Sequence, residues 1–586
     1  MNFLKNILST VIGIFVFFMV LIFGALFIGA IFGGSGNSVQ VKKNSVLELD
    51  LSEIENDYAG KFNFKDFNYF ETNHNGLSDV NKAIEKAKTD ENIRGISILN
   101  DNSNLGIAQI KELRVILEDF KKSGKFVWAY SNSFSQKEYY LNSVANKVYL
   151  NPIGDFDFKG LSTEVMFFKD FQEKSGLKME VIRHGKYKSA VEPFLENQMS
   201  DANKQQTSEL LNSLWNSMVS DISESRKISV TRLNEVANGL LARTPEMAKT
   251  EKLIDKIAYE DIYHDDIKNQ LQVDKNEDYE TISIIDYAQN IATTASDFET
   301  NKIAIVYAQG EIGNGEGDVS TIGELSMRRS LQEARKDNDI KAVVLRINSP
   351  GGNALTSDLI WREIEITKKF KPVVVSMGNY AASGGYYIAC NADKIFAEPS
   401  TITGSIGVFG TLPNFTTAAN RLGINTVQVK THENASEYSP FVTLDEKFKA
   451  FTLEGVEHIY NVFVNRVAVG RKMTPENVDA IAQGRVWSGT DAKKIGLVDE
   501  LGSMNDAIKY AASLTKIKKY SIINYPEFET DFGSMLQNLG LPFAQSKESL
   551  IKQEIGQENF KIFEKVKKIQ ARKGILALMQ YEINVK

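Results

Sequence analysis

The residues of this chain best suited to chemistry are a serine, two pairs of glycines and a set of basic side chains. The segment Met377-Gly378-Asn379-Tyr380-Ala381-Ala382-Ser383-Gly384-Gly385-Tyr386-Tyr387 follows an apolar strand-like run and leads into the apolar helical stretch Tyr386–Cys390. That order puts Ser383 at a helix N-terminus, where unpaired N–H groups and the helix dipole stabilise negative charge. A nucleophilic serine needs such a place because an oxyanion develops beside it. A serine there can equally be a plain N-cap. A second glycine-rich turn, Asn348-Ser349-Pro350-Gly351-Gly352-Asn353, follows the apolar run Ala342–Ile347. Its glycines leave backbone N–H groups open to an anion or a developing oxyanion, and they also suit an ordinary tight turn.

A nucleophilic serine needs a base. The five histidines are His74, His184, His264, His432 and His458, and none is close to Ser383 in sequence. A lysine can serve if burial lowers its pKa toward neutrality. The stretch Arg183-His184-Gly185-Lys186-Tyr187-Lys188-Ser189-Ala190-Val191-Glu192-Pro193-Phe194 holds two lysines with a histidine nearby. Residue chemistry alone does not choose among Lys186, Lys188 and His184.

These groups are embedded in a sequence that repeats itself at an offset of 247 positions. Ile93-Arg94-Gly95-Ile96 matches Ile340-Lys341-Ala342-Val343, Tyr139-Tyr140 matches Tyr386-Tyr387, Gly160 matches Gly407, and Pro193-Phe194 matches Pro440-Phe441. The copies differ where chemistry would sit: Ser383 faces Gln136, and Lys188 faces Ala435. In the first copy the pattern predicts helices near Val80–Lys88 and Ile107–Lys122 and strands at Gly95–Leu99 and Phe126–Ala129. In the second it predicts strands at Ile303–Tyr307, Ala342–Ile347 and Pro372–Ser376, with helices at Ser326–Lys336 and Thr356–Lys369. Short apolar strands alternating with helices define α/β units with largely parallel pairing. The expected domains are 45–300 and 301–525, the first carrying the lysine and the second the serine.

At 586 residues the chain has room for several domains with real cores. Its 68 basic and 75 acidic residues, net −7, give no electrostatic footprint for nucleic acid. The single cysteine, Cys390, excludes an intrachain disulfide framework and a cysteine-rich metal site, and reads as a small buried hydrophobe. No metal or cofactor is implied. From Ile7 to Phe32 there is no charged residue. That run is long enough to cross a hydrocarbon core of about 30 Å, which takes about 20 helical residues. A transmembrane anchor at 7–32 is therefore expected. The last segment, 526–586, reads as a helical amphipathic tail with the basic run Lys565-Val566-Lys567-Lys568.

With these motifs assembled, the chain resembles the long, two-repeat form of the signal peptide peptidase A (protease IV) family. The resemblance rests on Tyr187-Lys188-Ser189-Ala190-Val191-Glu192-Pro193-Phe194, Asn348-Ser349-Pro350-Gly351-Gly352, Ala382-Ser383-Gly384-Gly385-Tyr386-Tyr387 and Thr403-Gly404-Ser405-Ile406-Gly407. It extends from the apolar N-terminus to about Gly502, and the tail from about Asp531 shares no family motif. The resemblance implies a tandem of ClpP/crotonase-like α/β domains and a membrane-bound serine endopeptidase working by a Ser/Lys dyad. It implies Ser383 as nucleophile, Lys188 rather than Lys186 as general base, and Ser405 as the hydroxyl that orients the lysine. Gly384 with Gly351 or Gly352 would supply the oxyanion N–H groups. It further implies peptide substrates of the signal-peptide-remnant kind and a homotetramer. The setting it implies is the cytoplasmic membrane of a bacterium, with the protease domain on the extracytoplasmic side. Two other readings keep the same elements: an acyl-thioester enzyme of the crotonase kind, which would need neither Ser383 nor Lys188, and a membrane scaffold without catalysis.

Overall fold

The computed structural model describes residues 10–24, 40–54, 56–64, 69–99, 102–294, 299–435, 438–530, 556, 560 and 575–579. The chain forms two compact units, Met1–Lys42 and Lys43–Lys586. In the first, residues 10–24 are helical, with apolar side chains such as Phe15 and Val20 exposed. Among the described residues no helix is long and apolar enough to cross a membrane. The rest of the expected 7–32 anchor lies outside the described residues.

The second unit is built on two largely parallel sheets that repeat one plan. In the first, the strands Lys256–Ile257, Lys147–Leu150, Phe126–Ser131, Ile93–Leu99, Ser45–Leu49 and Thr281–Ser283 lie side by side. In the second, Lys302–Gln309, Ile340–Ser349 and Val373–Ala382 form the parallel centre. The strand Ser521–Tyr525 closes one edge of that sheet. Helix Ile107–Lys121 and helix Ala354–Lys368, both 15 residues, are offset by the 247 positions read from sequence. Helices Asp201–Arg226 and Glu446–Arg471 are another matched pair of 26 residues.

Parallel strands are continuous hydrophobic runs because both faces are covered. Along Lys302–Gln309 the alternation sends Ala304, Val306 and Ala308 to one core and Ile303, Ile305 and Tyr307 to the other. The first core is closed by Leu331, Ile360, Ile364, Phe463 and Val467, and the second by Met504, Ala507, Ile508 and Ala511.

The two repeats are locked together by charge and by strand exchange. Arg346, on the central strand of the second repeat, is buried with Asp57 at 2.7 Å and Glu112 at 2.8 Å, both from the first. Asn379 Oδ1 accepts from the N–H groups of Ala108 and Gln109, capping the N-terminus of helix Ile107–Lys121 from across the interface. Gly106 is required there, since a β-carbon on it would fall 2.4 Å from the Asn379 side chain. Strand Lys178–Arg183 of the first repeat pairs antiparallel with Phe409–Asn414 of the second over six residue pairs, carrying the segment that follows it into the second repeat. Of the expected helical tail, Glu527–Thr530 and Ile575–Leu578 are strands instead, each paired with a strand from elsewhere in the chain. Lys565–Lys568 lies outside the described residues.

Candidate active site

Lys188, Ser383 and Ser405 meet in one place and are wholly closed off from solvent, at 0% exposure each. Lys188 Nζ lies 2.9 Å from Ser383 Oγ, 3.0 Å from Ser405 Oγ and 3.0 Å from the Ser405 carbonyl oxygen. The lysine comes from the first repeat and the serine from the second, and both belong to one chain.

Ser383 sits at the end of strand Val373–Ala382, at the N-terminus of helix Gly384–Ala389, as read from sequence. Its backbone has φ 53° and ψ −112°, a region that L-residues rarely occupy. The plain N-cap reading fails, because its side chain makes no capping hydrogen bond. The turn instead sends Oγ toward Lys188 and toward the Gly407 carbonyl oxygen at 3.3 Å. Ser405 is also left-handed, at φ 50°. Two strained non-glycine residues flank one lysine amine.

Lys188 is reached through backbone contacts that exclude side chains. The Tyr187 N–H donates to the Gln483 carbonyl at 2.8 Å, and the Gly484 N–H donates to the Ile406 carbonyl at 2.8 Å. A β-carbon on Gly484 would fall 2.6 Å from Lys188 Cβ, and one on Gly407 would fall 3.2 Å from Lys188 Cδ. Gln206 joins the two loops: its amide nitrogen donates to Ser189 Oγ at 2.7 Å and to the Tyr187 carbonyl at 3.2 Å, and its oxygen accepts from the Val486 N–H at 3.4 Å. Glu192 anchors the next turn by accepting from Asn203 Nδ2 and the Ser200 N–H at the start of helix Asp201–Arg226. A carboxylate at a helix N-terminus is the favourable polarity.

Burial alone pushes the Lys188 amine well below its usual range, with no carboxylate to offset the lost hydration. Lys186 is exposed, with its amine over the Tyr187 ring. The His184 ring is stacked on Tyr460 at 4.0 Å. None of the hydrogen bonds at Ser383 comes from a histidine.

The two glycine turns converge beside the serine. A β-carbon on Gly384 would lie 3.2 Å from the Gly352 nitrogen, and one on Gly351 would lie 2.7 Å from the Gly384 nitrogen. The Gly351 N–H already donates to Ser349 Oγ at 3.1 Å. The N–H groups of Gly352 and Gly384 are therefore the pair free of that bond. In the first repeat the corresponding place is filled: Gln136 Nε2 donates to the Gly160 carbonyl at 3.0 Å, the counterpart of Ser383 and Gly407. Ala435, where a second lysine would stand, is exposed. Gly484 and Gln206 were not singled out from sequence. Each acts through a contact between segments hundreds of residues apart or between two loops, and neither lies in a chemical motif. Cys390 is buried with its thiol pushed up to about 12, as expected of a small hydrophobe. Among the described residues there is no group of three or more side chains arranged to hold a metal.

Two α/β repeats that share one buried serine site make up a serine protease, and the comparisons with known proteins agree. The family model described as peptidase family S49 matches residues 119–274 and 365–518, once in each repeat. Protease 4 of Salmonella typhi is 35% identical over 559 residues, covering 92% of this chain and 88% of that protein. Protease 4 of Haemophilus influenzae is 38% identical over 451 residues, covering 74% and 72%. The chloroplastic serine protease SPPA of Arabidopsis thaliana is 31% identical over 522 residues, covering 86% and 74%. The chain belongs to peptidase family S49.

Proposed function

We propose that this serine protease works through a Ser383–Lys188 dyad within a single chain. The observation that carries the reading is the 2.9 Å contact between Lys188 Nζ and Ser383 Oγ in a buried setting that lowers the lysine pKa. A neutral amine has two N–H bonds and one lone pair. Ser405 supplies two acceptors at 3.0 Å, its hydroxyl and its carbonyl, so the lone pair is left for the Ser383 hydroxyl proton. Ser405 is thus the residue that orients the base.

In the proposed sequence, Lys188 takes the proton from Ser383 as Oγ attacks the scissile carbonyl. The oxyanion is met by the N–H groups of Gly384 and Gly352. Lys188 then returns the proton to the leaving amine, and water, deprotonated by the same lysine, hydrolyses the acyl-enzyme. One lost oxyanion donor in such sites costs about 3–4 kcal/mol of barrier.

We further propose ClpP/crotonase-like repeats, a membrane anchor at 7–32 and a protease domain on the extracytoplasmic side of a bacterial cytoplasmic membrane. The proposal also includes a homotetramer and apolar peptides of the cleaved-signal-peptide kind as substrates. The uncharged run Ile7–Phe32 supports the anchor. That the relatives are Protease 4 and a chloroplastic serine protease supports peptide cleavage. The test is turnover of a fluorogenic peptide by the purified chain. Ser383→Ala and Lys188→Ala should each abolish it; wild-type turnover in either variant, or turnover of an acyl-thioester but no peptide, would overturn the dyad.

A further inference from the structure

Lys188 stands at the apex of an inverse γ-turn. Its backbone has φ −77° and ψ 68°, and the Ser189 N–H donates across it to the Tyr187 carbonyl at 2.8 Å. One backbone bond closes such a turn, so the direction in which the lysine leaves it depends on what fastens Tyr187 and Ser189. Gln483 and Gly484 fasten it from one side. From the other side comes Gln206, the sixth residue of helix Asp201–Arg226, fully buried. Its amide nitrogen grips both ends of the turn, donating to the Tyr187 carbonyl at 3.2 Å and to Ser189 Oγ at 2.7 Å. Its oxygen accepts the longer bond from the Val486 N–H at 3.4 Å. A carbonyl on one side and an N–H on the other fix which way the amide points.

Val486 follows the residue that holds Ser405. The Arg485 carbonyl accepts the Ser405 N–H at 2.7 Å, and the Gly484 N–H donates to the Ile406 carbonyl at 2.8 Å. Gln206 thus ties the lysine turn of the first repeat to the segment of the second that carries the base-orienting serine. Asn203, one turn earlier, braces it: Asn203 Oδ1 accepts from Gln206 Nε2 at 3.2 Å, and Asn203 Nδ2 donates to Glu192 at 2.5 Å. The repeat supplies an internal comparison. In the matched helix Glu446–Arg471 the third and sixth residues are Phe448 and Phe451, in place of Asn203 and Gln206, and Phe451 is exposed. The polar pair is found on the helix that serves a lysine and not on its counterpart beside Ala435.

We propose that Gln206 is a positioning residue for the reaction, fixing the Lys188 turn relative to Ser405 so that one amine meets both serine hydroxyls. It touches no reacting atom and acts through Tyr187 and Ser189. This inference rests on the dyad proposed above. Without the clamp the turn swings and water reaches the amine, and a rehydrated lysine regains part of its ordinary basicity.

The test uses the full chain and two readouts: steady-state kinetics on a fluorogenic peptide, and the rate at which a serine-directed phosphonate labels Ser383 as a function of pH. Gln206→Met, similar in length and without hydrogen bonds, should lower kcat and the labelling rate about tenfold. It should also move the acidic limb of both profiles to higher pH. KM should hold, because Gln206 does not touch the peptide groove beside Ser383. Ser213→Ala is the control. It removes the 2.7 Å bond between Ser213 and Ser488 from the same helix, and should leave rate and limb unchanged. If thermal unfolding shows Gln206→Met to be misfolded, Gln206→Glu takes its place: it keeps the shape and the acceptor for Val486, cannot donate to the Tyr187 carbonyl, and should show the same losses. A native chain that does not label at Ser383 overturns the dyad and this inference with it. Native labelling with an unmoved rate and limb in the Gln206 variant overturns the role of Gln206 and leaves the dyad standing. An equal loss in Ser213→Ala also overturns it, since the contact would then do no more than dock the helix.

Discussion

Gly484 and Lys188 are packed backbone to backbone: a β-carbon on the glycine would stand 2.6 Å from both the lysine Cβ and the lysine nitrogen. Gly484 also has φ +83°, a conformation that costs an L-residue roughly 1–2 kcal/mol. The lysine reaches Ser383 only because the neighbouring loop has no side chain at this point. Gly484→Ala should therefore displace Lys188 and lower kcat by about 100-fold, since small misplacements of a reacting group are that costly. KM should change little, because the strands flanking the groove are not touched. Steady-state kinetics beside a thermal melt check this, and a variant with native kcat would show that the loop yields without moving the lysine.

The pH dependence follows from the sign of the Lys188 shift. Its folded pKa lies well below the ordinary 10.5, because burial penalises the charged amine. The unfolded chain then binds more protons between the folded pKa and 10.5, so this group adds stability as pH rises through that window. Below the folded pKa the cost of the buried amine is at its full value. Lys188→Met, similar in length and without charge, should be more stable than the native chain at low pH. The advantage should shrink as pH rises toward 10.5. Activity of the native chain should rise with pH as Lys188 loses its proton. Melting temperatures across pH, together with the rising, acidic limb of kcat/KM, measure both.

Much of this architecture was legible because the chain repeats. Helices Ile107–Lys121 and Ala354–Lys368 match the sequence reading to within a residue or two, each copy supporting the other. Ser383 was legible from its strand, small-residue and Gly-Gly context, but Lys188 needed the family resemblance, since no local pattern separates it from Lys186. The join between the repeats was not legible. The pairing of Lys178–Arg183 with Phe409–Asn414 links segments over 200 residues apart, and nothing in either announces its partner. The C-terminal strand was read as helix for a physical reason: Leu, Ala and Met are strong helix formers, and here pairing with two open edges overrides that preference.

Arg346 is the charge on which the join depends. Asp57 and Glu112 hold its guanidinium charged against the cost of burial. Removing one partner of a buried pair costs about 3–5 kcal/mol, because the other charges stay unpaired. Arg346→Met should destabilise the chain by that order in denaturant melts. Arg346→Met/Asp57→Asn/Glu112→Gln should recover part of the loss. Activity should fall with the first variant, since lysine and serine come from opposite sides of this join. An Arg346→Met chain as stable as the native one would remove the clamp from the account.

Glu398 lies beside this cluster and is pushed up to about 8, first by burial and second by Glu112. Its folded pKa exceeds its ordinary 4.5, so its contribution to stability is complete below 4.5 and is lost as pH rises toward about 8. Glu398→Gln, neutral at every pH, should flatten the stability profile across that window. A native profile already flat there, by chemical denaturation at several pH values, would contradict the assignment.

The first repeat keeps the frame of the proposed site without its side chains, and on the proposed mechanism each chain therefore has one nucleophile. Gln136 occupies the serine's place, and its Nε2 donates to the Gly160 carbonyl, the counterpart of the Gly407 carbonyl that lies 3.3 Å from Ser383 Oγ. Ala435, the counterpart of Lys188, is exposed and has no amine. Installing a serine alone should therefore restore nothing: the hydroxyl would have no buried base, and a serine at its ordinary pKa is a weak nucleophile. Ser383→Ala/Gln136→Ser should be as inactive as Ser383→Ala. A serine-directed phosphonate probe should label the native chain once, at Ser383, and the double variant not at all, with mass spectrometry locating the adduct. Labelling at residue 136 would mean that the first repeat finds a base of its own, and that the split between the repeats is not what confines catalysis to Ser383.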